Sequence, residues 1–325
     1  MKNSKLDNII KKYLDGEYSI NELNRGYAHK KWIIQSNNNI LFLKSFNDIS
    51  DNRIEFINYI QERLNLYTPN IIKNKNHETY TKQDNTTYVA YEFLKGKLLS
   101  KLDMSYDMLE KIGSFLGKMH KELSQVQLPQ YFTEINNLQI KDDNINKIKD
   151  LINNYNNNEY KDYCNILNYK IEILNKISIN NVLKGKERLS QQIVHGDFYL
   201  DNIIIENNNI KITDLDQVCV FYKMYEVIRG MMMIAYDETL NDVDNIKRIK
   251  TFISGYKKEN NIEDLNISID LYLYTLANSL YCLQTDDWKD ENKKKFANTR
   301  YNMLKWLYNK KTILIKNVER EECER

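Results

Sequence analysis

One stretch of the chain concentrates side chains that can do acid–base and metal chemistry. It spans residues 194–216 and reads VHGDFYLDNIIIENNNIKITDLD. Asp197 can take a proton from a hydroxyl group. Asn202 and Asp214 carry the hard oxygen ligands that Mg²⁺ prefers. A proton acceptor beside two such ligands suits phosphoryl transfer.

Two short apolar segments inside this stretch predict how the three side chains meet. Residues 203–205 and 210–213 read as β-strands, and a turn rich in asparagine separates them. Strands joined by a tight turn fold back on each other, so the two ends of the stretch come together. We therefore predict that Asp197, Asn202 and Asp214 are neighbours in space.

Length and composition exclude several classes of protein. The chain has 325 residues, and 47 Lys and Arg against 45 Asp and Glu give a net charge of +2. This balance gives no electrostatic reason to expect nucleic acid or a membrane surface as a partner. The sequence shows no apolar run long enough to span a membrane and no signal-peptide pattern. The four cysteines lie far apart, which is typical of reduced thiols. We expect a cytoplasmic protein that is a monomer or a weak dimer.

The rest of the sequence predicts the elements that position these side chains. Helical periodicity covers residues 5–15 and 48–66, and strand patterns fill 18–46 and 78–97. From residue 103 onward the pattern is helical apart from the central stretch. Further helices are predicted within 103–123, 144–178, 222–236, 243–259, 265–284 and 288–309. The order predicts an α+β fold with a small antiparallel sheet and one helix in residues 1–94, followed by a large, mainly helical domain in residues 95–325.

These motifs together resemble the aminoglycoside phosphotransferase and choline kinase superfamily, whose members are small-molecule kinases. HGDFYLDN resembles the catalytic loop of that family, and ITDLD resembles its metal-binding segment. The segments LNRGYAHKKWII, ILFLKSF, YVAYEFLKG and LGKMHKEL occur in the order of the family. The resemblance implies a bilobal protein-kinase-like fold, in which the N-lobe binds nucleotide and the helical C-lobe carries the catalytic loop, the metal site and the acceptor site.

The resemblance also implies roles for the residues of the central stretch. Asp197 would be the catalytic base that receives the proton of the acceptor hydroxyl. Asn202 and Asp214 would hold Mg²⁺. His195 would support the catalytic loop through hydrogen bonds, and Asp216 would help to hold the metal or the substrate.

The nucleotide would bind in the N-terminal part of the chain. Lys44 stands in an otherwise apolar strand, and the resemblance makes it the lysine that contacts the phosphates. We expect an acidic partner on the next helix, Glu55 rather than Glu62. Gly26 would lie in the nucleotide loop. The hinge that meets the purine would comprise Tyr91, Glu92, Phe93 and Leu94. The choice between ATP and GTP stays open.

The acceptor is expected to be a small polar molecule with a hydroxyl group. Aminoglycoside antibiotics and metabolites that resemble choline or homoserine are the candidate classes. A cationic acceptor would need several carboxylates to converge near Asp197. The candidates for this acceptor site are Glu226, Asp237, Glu238, Asp286 and Asp287.

Two other functions compete with this hypothesis. The first is a structural or binding protein of kinase fold, like certain spore-coat proteins that resemble the family. An active enzyme is favoured instead by the retained residues Lys44, Asp197, Asn202 and Asp214. The second is a protein kinase. It is disfavoured because Gly196 stands where protein kinases have arginine, and because little room is left after Asp214 for an activation segment.

Overall fold

The computed structural model describes residues 4–23, 29–37, 39–127, 140, 142–155, 158–177, 179–206, 209–284 and 286–323. The spatial proximity of Cα atoms groups these residues into two compact units. Unit 1 holds the described residues up to Leu99, together with 125–127 and Asp201–Val218. Unit 2 holds the rest. The hairpin segment at 201–218 thus belongs to unit 1, whereas the sequence assigned it to the C-terminal lobe.

Unit 1 contains a sheet whose strands are β1 (Tyr18–Leu23), β2 (Lys31–Ser36), β3 (Ile40–Asn47), β4 (Ile71–Ile72), β5 (Thr81–Gln83) and β6 (Thr86–Glu92). The strands are antiparallel in the order β1-β2-β3-β6-β4, and β5 also pairs with β6. Side chains alternate between the faces of a strand, and in β2 this alternation buries Trp32 and Ile34. They join a core that includes Ile9 and Leu43.

Two of the described helices accompany the sheet of unit 1. These are α1 (Ser4–Ile10) and α2 (Asp51–Arg63). Helix α2 begins after Ser50, whose hydroxyl accepts the backbone N–H of Arg53 at 3.3 Å. This contact satisfies one of the N–H groups that a helix start leaves free. The apolar stripe of α2 is buried, including Ile54 and Ile57.

A smaller sheet in unit 1 contains the central stretch of the sequence. Its strands are β7 (Lys97–Leu98), β9 (Ile203–Glu206) and β10 (Asn209–Ile212), in the order β10-β9-β7. Strands β9 and β10 are antiparallel, with Ile203 opposite Ile212. The predicted hairpin is therefore confirmed.

Unit 2 is mainly helical. Its helices are α3 (Tyr106–Ser124), α4 (Ile145–Asn154), α5 (Lys161–Lys176), α6 (Ile179–Gly185), α7 (Lys223–Gly230), α8 (Asp242–Lys257), α9 (Leu265–Asn278) and α10 (Glu291–Cys323). One antiparallel pair, β8 (Gln191–Val194) and β11 (Cys219–Tyr222), flanks the catalytic loop and the hairpin segment in sequence. The predicted fold class is confirmed: the chain is α+β, with an antiparallel sheet and a helical part. None of the described helices is both long and apolar enough to cross a membrane.

Helices α3 and α8 cross at a pair of glycines. A Cβ atom on Gly113 would lie 2.0 Å from the carbonyl oxygen of Phe252, and one on Gly255 would lie 2.0 Å from that of Glu110. Any side chain at either position would overlap backbone, so the two helices approach as closely as they do only because both residues are glycine. Tyr256, which follows Gly255, is fully buried at this crossing.

Candidate active site

A cluster of charged side chains in unit 1 surrounds Lys44. The Lys44 cluster comprises His29, Lys31, Lys44, Asp214 and Asp216. Nζ of Lys44 lies 2.7 Å from Oδ1 of Asp214 and 2.6 Å from Oδ1 of Asp216. It also lies 4.9 Å from the centre of the Phe46 ring. Lys44 is only 3% exposed, so the ammonium is held almost entirely by these two carboxylates.

The register of the sheet brings a second lysine to the same place. Lys31 on β2 lies directly opposite Lys44 on β3. Like charges at opposite positions of two strands repel each other. Here the repulsion is offset because Nζ of Lys31 lies 3.2 Å from Oδ2 of Asp214. His29 completes the cluster, with Nε2 at 3.1 Å from Oδ2 of Asp216.

Asp214 has the backbone and the charge expected of a residue positioned for function. Its φ angle is +69°, in the left-handed region that residues other than glycine rarely adopt. Burial alone would raise the pKa of the carboxyl group. The charges of Lys44 and Lys31 outweigh burial and hold the pKa below the ordinary value for aspartate. Asp214 is therefore ionised at neutral pH.

The hairpin places Asn202 and Asp214 at adjoining ends of β9 and β10. The backbone N–H of Thr213 donates to the carbonyl of Asn202 at 2.8 Å, and the hydroxyl of Thr213 donates to the same oxygen at 3.2 Å. Asn202 is buried. An amide oxygen and an ionised carboxylate are hard donors that fit Mg²⁺. Among the described residues no group of three or more His, Cys, Asp and Glu forms a metal site, so this Asn–Asp pair is the donor set to consider.

The structure corrects the predicted partner of Lys44. Glu55 is exposed. Burial raises the pKa of Tyr80, and the charge of Glu55 and a hydrogen bond to it raise this pKa further. Glu62 pairs with Lys73 at 3.6 Å. Neither glutamate bonds to Lys44, because Asp214 and Asp216 take that place.

Residues 212–216, the segment predicted to bind metal, are called the metal segment below. Helix α2 contacts this segment through an arginine that the sequence did not single out. Nη1 of Arg53 donates to the carbonyl of Val218 at 2.7 Å, and Nη2 donates to the carbonyl of Asp216 at 2.6 Å. These bonds fix the backbone on both sides of Gln217 and so support the side chain of Asp216. No sequence pattern singles out Arg53, because its partners are backbone atoms more than 160 residues away.

The predicted hinge residues lie at and after the end of β6. Tyr91 and Leu94 are buried, whereas Glu92 is exposed and accepts a hydrogen bond from the side chain of Asn70 at 3.0 Å. Phe93 is half-buried between them. Gly26, the predicted residue of the nucleotide loop, lies outside the described residues.

In unit 2 the catalytic loop is held by one buried glutamate. The carboxylate of Glu226 accepts the backbone N–H of His195 at 3.0 Å and that of Gly196 at 2.6 Å. Gly196 has a φ angle of +79°, a conformation that glycine adopts without the strain other residues would incur. The backbone N–H of Asp197 donates to Nδ1 of His195 at 3.2 Å. Asp197 is thus carried by a loop with a fixed backbone.

Glu226 in turn is anchored by the crossing of α3 and α8. Nε2 of His120 lies 2.9 Å from the carboxylate of Glu226, and Nδ1 lies 3.0 Å from the hydroxyl of Tyr256. Burial alone would raise the pKa of Glu226, but the hydrogen bond and charge of His120 and the contacts of His195 lower it. Glu226 is 1% exposed. This burial argues against its predicted place in the acceptor site and assigns it to the support of the loop.

Asp197 itself is paired with Arg229 on α7. Nη2 of Arg229 donates to Oδ1 of Asp197 at 2.5 Å, and Nη1 donates to the carbonyl of Gly196 at 3.3 Å. Burial would lower the pKa of the guanidinium, but the charges of Asp197, Glu226 and the two tyrosines Tyr225 and Tyr272 together outweigh burial and raise that pKa. Sequence analysis missed Arg229. Because Asp197 belongs to unit 2, its expected proximity to Asn202 and Asp214 stays a prediction.

The other carboxylates predicted for the acceptor are not gathered into one site. Asp237 accepts from the hydroxyl of Thr239 at 2.8 Å, and Glu238 accepts from the side chain of Asn302 at 2.8 Å. Asp287 pairs with Lys293 at 2.7 Å. The Asp286 side chain is 94% exposed. Each of these groups is either bound to a neighbour of its own or faces solvent.

The fold and these residues define a class of protein, the small-molecule kinases. A family model described as "phosphotransferase enzyme family" matches residues 19–247, which is more than half of the chain. The chain therefore belongs to that family, and the prediction of a small-molecule kinase is confirmed. No significant match is found among curated protein sequences.

Solved structures that resemble the chain come from the same class. An amicoumacin kinase in complex with AMP-PNP, Ca²⁺ and Ami has a TM-score of 0.68 at 12% identity, with 94% of each chain covered. A spectinomycin phosphotransferase with ADP and spectinomycin has a TM-score of 0.65 at 14% identity, covering 95% of this chain and 98% of the other. A choline kinase from Cryptosporidium parvum Iowa II has a TM-score of 0.64 at 13% identity, with 98% of each chain covered. At these identities the likeness establishes the fold.

Proposed function

We propose that this kinase transfers the terminal phosphate of ATP or GTP, with Mg²⁺, to a hydroxyl group of a small polar molecule. The observation that carries the proposal is the 2.7 Å contact between Lys44 and Asp214. It joins the residue expected to contact phosphates to the residue expected to hold the metal, across 170 positions of sequence. Aminoglycoside antibiotics and choline-like or homoserine-like metabolites are the candidate acceptors.

The residues of unit 2 would act on the acceptor. The carboxylate of Asp197 receives the proton of the acceptor hydroxyl as that oxygen forms its bond to the terminal phosphorus. The bond between this phosphorus and the bridging oxygen breaks, and the nucleoside diphosphate leaves with its electron pair. Arg229 binds Oδ1 of Asp197, which directs Oδ2 to the hydroxyl.

The residues of unit 1 would act on the nucleotide. Lys44, fixed by Asp214 and Asp216, supplies a positioned positive charge for the phosphates. The amide oxygen of Asn202 and the carboxylate of Asp214 would hold Mg²⁺. When bound, Mg²⁺ neutralises charge that develops on the phosphate oxygens. Arg53 keeps the backbone of the metal segment in place through its bonds at residues 216 and 218.

A panel of acceptors tests this proposal. Consumption of ATP and of GTP is measured with aminoglycosides, choline, homoserine and methylthioribose, in each case with and without Mg²⁺. We expect acceptor-dependent and Mg²⁺-dependent turnover with at least one compound. Lys44→Met should raise the KM for nucleotide by roughly tenfold or more, because a charged contact to phosphate is lost. Lys30→Met removes an exposed lysine of the same segment and should leave this KM unchanged.

Binding measurements separate this function from that of a structural protein of kinase fold. A kinase should be stabilised against heat by Mg-ATP or Mg-GTP at millimolar concentration. If neither nucleotide shifts the melting temperature and no acceptor supports turnover, the proposal is wrong.

A further inference from the structure

Two arginines in unit 2, Arg229 and Arg300, act electrostatically on the same pair of tyrosines. Tyr225 and Tyr272 lie on α7 and α9, and their ring centres are 5.7 Å apart. Burial raises the pKa of both phenols, and the charges of Arg229 and Arg300 oppose that rise at each of them. Arg229 stands one helical turn after Tyr225, and Arg300 lies on α10. Both guanidinium groups therefore lie near one aromatic pair.

Arg229 connects the tyrosine pair to the proposed catalytic carboxylate, because it contacts Asp197 at 2.5 Å. The hydroxyl of Tyr272 donates to Sδ of Met303 at 3.4 Å. Met303 lies three residues after Arg300 on α10, so the tyrosine pair also adjoins the part of α10 that carries Arg300. Nε of Arg229 is buried and has no hydrogen-bond partner in the part of the chain that the structure describes. The group next to the proposed base thus retains an unused donor.

Arg300 has no carboxylate partner within the described part of the chain. Its guanidinium carbon lies 5.6 Å from the centre of the Phe296 ring, and no hydrogen bond or ion pair to a described residue accompanies this contact. Arg300 is half-buried. A partly desolvated guanidinium without an anion is unusual, because the group is suited to bind carboxylate or phosphate through two parallel hydrogen bonds.

The other charged groups around Arg300 do not neutralise it. Lys170 is buried, and its ammonium donates to the carbonyls of Leu276 and Ser279 at 2.8 and 2.9 Å. The charge of Arg300 adds to burial in lowering the pKa of Lys170. Asp287 is paired with Lys293 at 2.7 Å, and Glu238 accepts from Thr299 and Asn302. Arg229 is paired with Asp197, so Arg300 is the guanidinium near the tyrosine pair that lacks an acidic partner among the described residues.

We propose that the acceptor carries an anionic oxygen group, a carboxylate or a phosphate, in addition to the hydroxyl that reacts, and that Arg300 binds this group. The inference rests on the proposed function, since it names the acceptor class of the same reaction. An anion supplies the missing partner of Arg300. A polycationic acceptor such as an aminoglycoside would be repelled by the unpaired charge of Arg300. Arg300 is then a residue that determines specificity.

Matched acceptors test the charge of the substrate. Homoserine and 3-amino-1-propanol differ by one carboxylate, and glycerol 3-phosphate and glycerol differ by one phosphate. We expect the anionic member of at least one pair to have the higher kcat/KM, by roughly tenfold or more, as a charge-assisted pair of hydrogen bonds would give. Arg300→Gln should abolish this preference by raising KM while kcat changes little. Preference for the uncharged members, or for kanamycin, would overturn the inference.

A binding experiment tests the same site without turnover. Glycolate and inorganic phosphate are titrated against the full chain and followed by thermal shift. In Arg300→Gln we expect the half-saturating concentration of one of the two anions to rise roughly tenfold. The anion whose half-saturating concentration rises in Arg300→Gln identifies the group, carboxylate or phosphate, that Arg300 recognises. Lys305→Gln removes an exposed charge on the same helix and should leave both titrations unchanged.

The outcomes distinguish this inference from the proposed function. Turnover with cationic or neutral acceptors, together with anion binding that does not depend on Arg300, would overturn the anion site and leave the kinase intact. Arg300-dependent anion binding without phosphate transfer to any acceptor would sustain the site and count against the kinase. If neither anion binds to the wild-type chain at millimolar concentration, the inference is wrong.

Discussion

At the scale of single residues, Arg53 connects helix α2 to the metal segment. Its guanidinium donates to two backbone carbonyls, at residues 216 and 218. Replacing Arg53 by Met keeps the apolar stem and leaves both carbonyls without this donor. We expect the free energy of unfolding to fall by about 2 kcal/mol, as for the loss of hydrogen bonds to a charged group. Urea unfolding measures this change.

A control for Arg53 is available on the same helix. Arg63 is exposed at the end of α2, where it lies over the ring of Tyr59 at 5.2 Å. Arg63→Met should cost less than about 0.5 kcal/mol, as is usual at exposed positions. Equal losses for the two variants would show that the bonds of Arg53 to the metal segment add nothing.

The sequence reveals residues whose type is unusual for their position. It does not reveal residues whose role depends on contacts with distant parts of the chain. Lys44 was identified because an ammonium rarely stands in an apolar strand. The partner of Lys44 was predicted wrongly, because its partners Asp214 and Asp216 come from a segment about 170 residues away, and local periodicity does not reveal contacts over that separation. Arg229 was missed because 32 residues separate it from Asp197. Only the packing of α7 against the loop reveals that pair.

At the scale of elements, the crossing of α3 and α8 supports the catalytic loop. The close approach at Gly113 and Gly255 places His120 against Tyr256, and His120 in turn holds Glu226. Gly255→Ala would push a methyl group into the carbonyl of Glu110. We expect a loss of about 2 kcal/mol or more in unfolding free energy. The displaced α3 would carry His120 away from Glu226, which holds the loop of Asp197. We therefore expect kcat to fall as well.

A second glycine provides the comparison for Gly255. A Cβ atom on Gly185, in α6, would have its three nearest contacts with side-chain atoms of Ile267, at 2.6, 2.9 and 3.0 Å, and not with backbone. Gly185→Ala should therefore cost much less stability and leave kcat unchanged. A similar loss in both variants would mean that the crossing of α3 and α8 is not specially tight.

Element types were predictable, but several boundaries were not. The pattern at 222–236 predicted one helix, whereas α7 ends at Gly230 and a π-helical turn, Met231–Ala235, follows. Most of this turn is buried, so its apolar residues carry no periodicity that could reveal the change. The last helix continues to Cys323, beyond the predicted end at residue 309. Its apolar stripe includes the buried residues Leu314 and Val318.

At the scale of the whole molecule, buried carboxylates make stability depend on pH. The pKa of Glu226 is below its ordinary value of 4.5 in the folded chain. A lowered pKa contributes stability above the unfolded value, and this contribution is lost as the pH falls through 4.5 and below. We expect wild-type stability to fall in this window. Glu226→Gln should be less stable at pH 7 and should show a flatter decline, in urea unfolding at several pH values.

An exposed glutamate serves as the control for that pH dependence. Glu122 on α3 is exposed, and Glu122→Gln should follow the wild-type curve. Parallel curves for wild type and Glu226→Gln would show that this carboxylate does not contribute to acid lability.

The order of elements along the whole chain was predictable, because each follows from local periodicity and turns. The α+β class, the hairpin at 203–212 and the helical second half are all present in the structure. The grouping of residues 201–218 with unit 1 was not predictable. It depends on long-range contacts of this segment, such as that of Lys44 with Asp214 and that of Arg53 with the carbonyl of Asp216.

The central claim is that Asp197 receives the proton of the acceptor hydroxyl, and one comparison tests it most directly. Phosphate transfer is measured for the wild type, Asp197→Asn and Asp201→Asn, with an acceptor that supports turnover. Asp201 is exposed and stands in the same motif. We predict that Asp197→Asn lowers kcat by roughly a thousandfold, with nucleotide binding intact, as the loss of a general base does. Asp201→Asn should keep the wild-type rate. An Asp197→Asn variant that retains kcat within roughly tenfold of wild type would contradict the account.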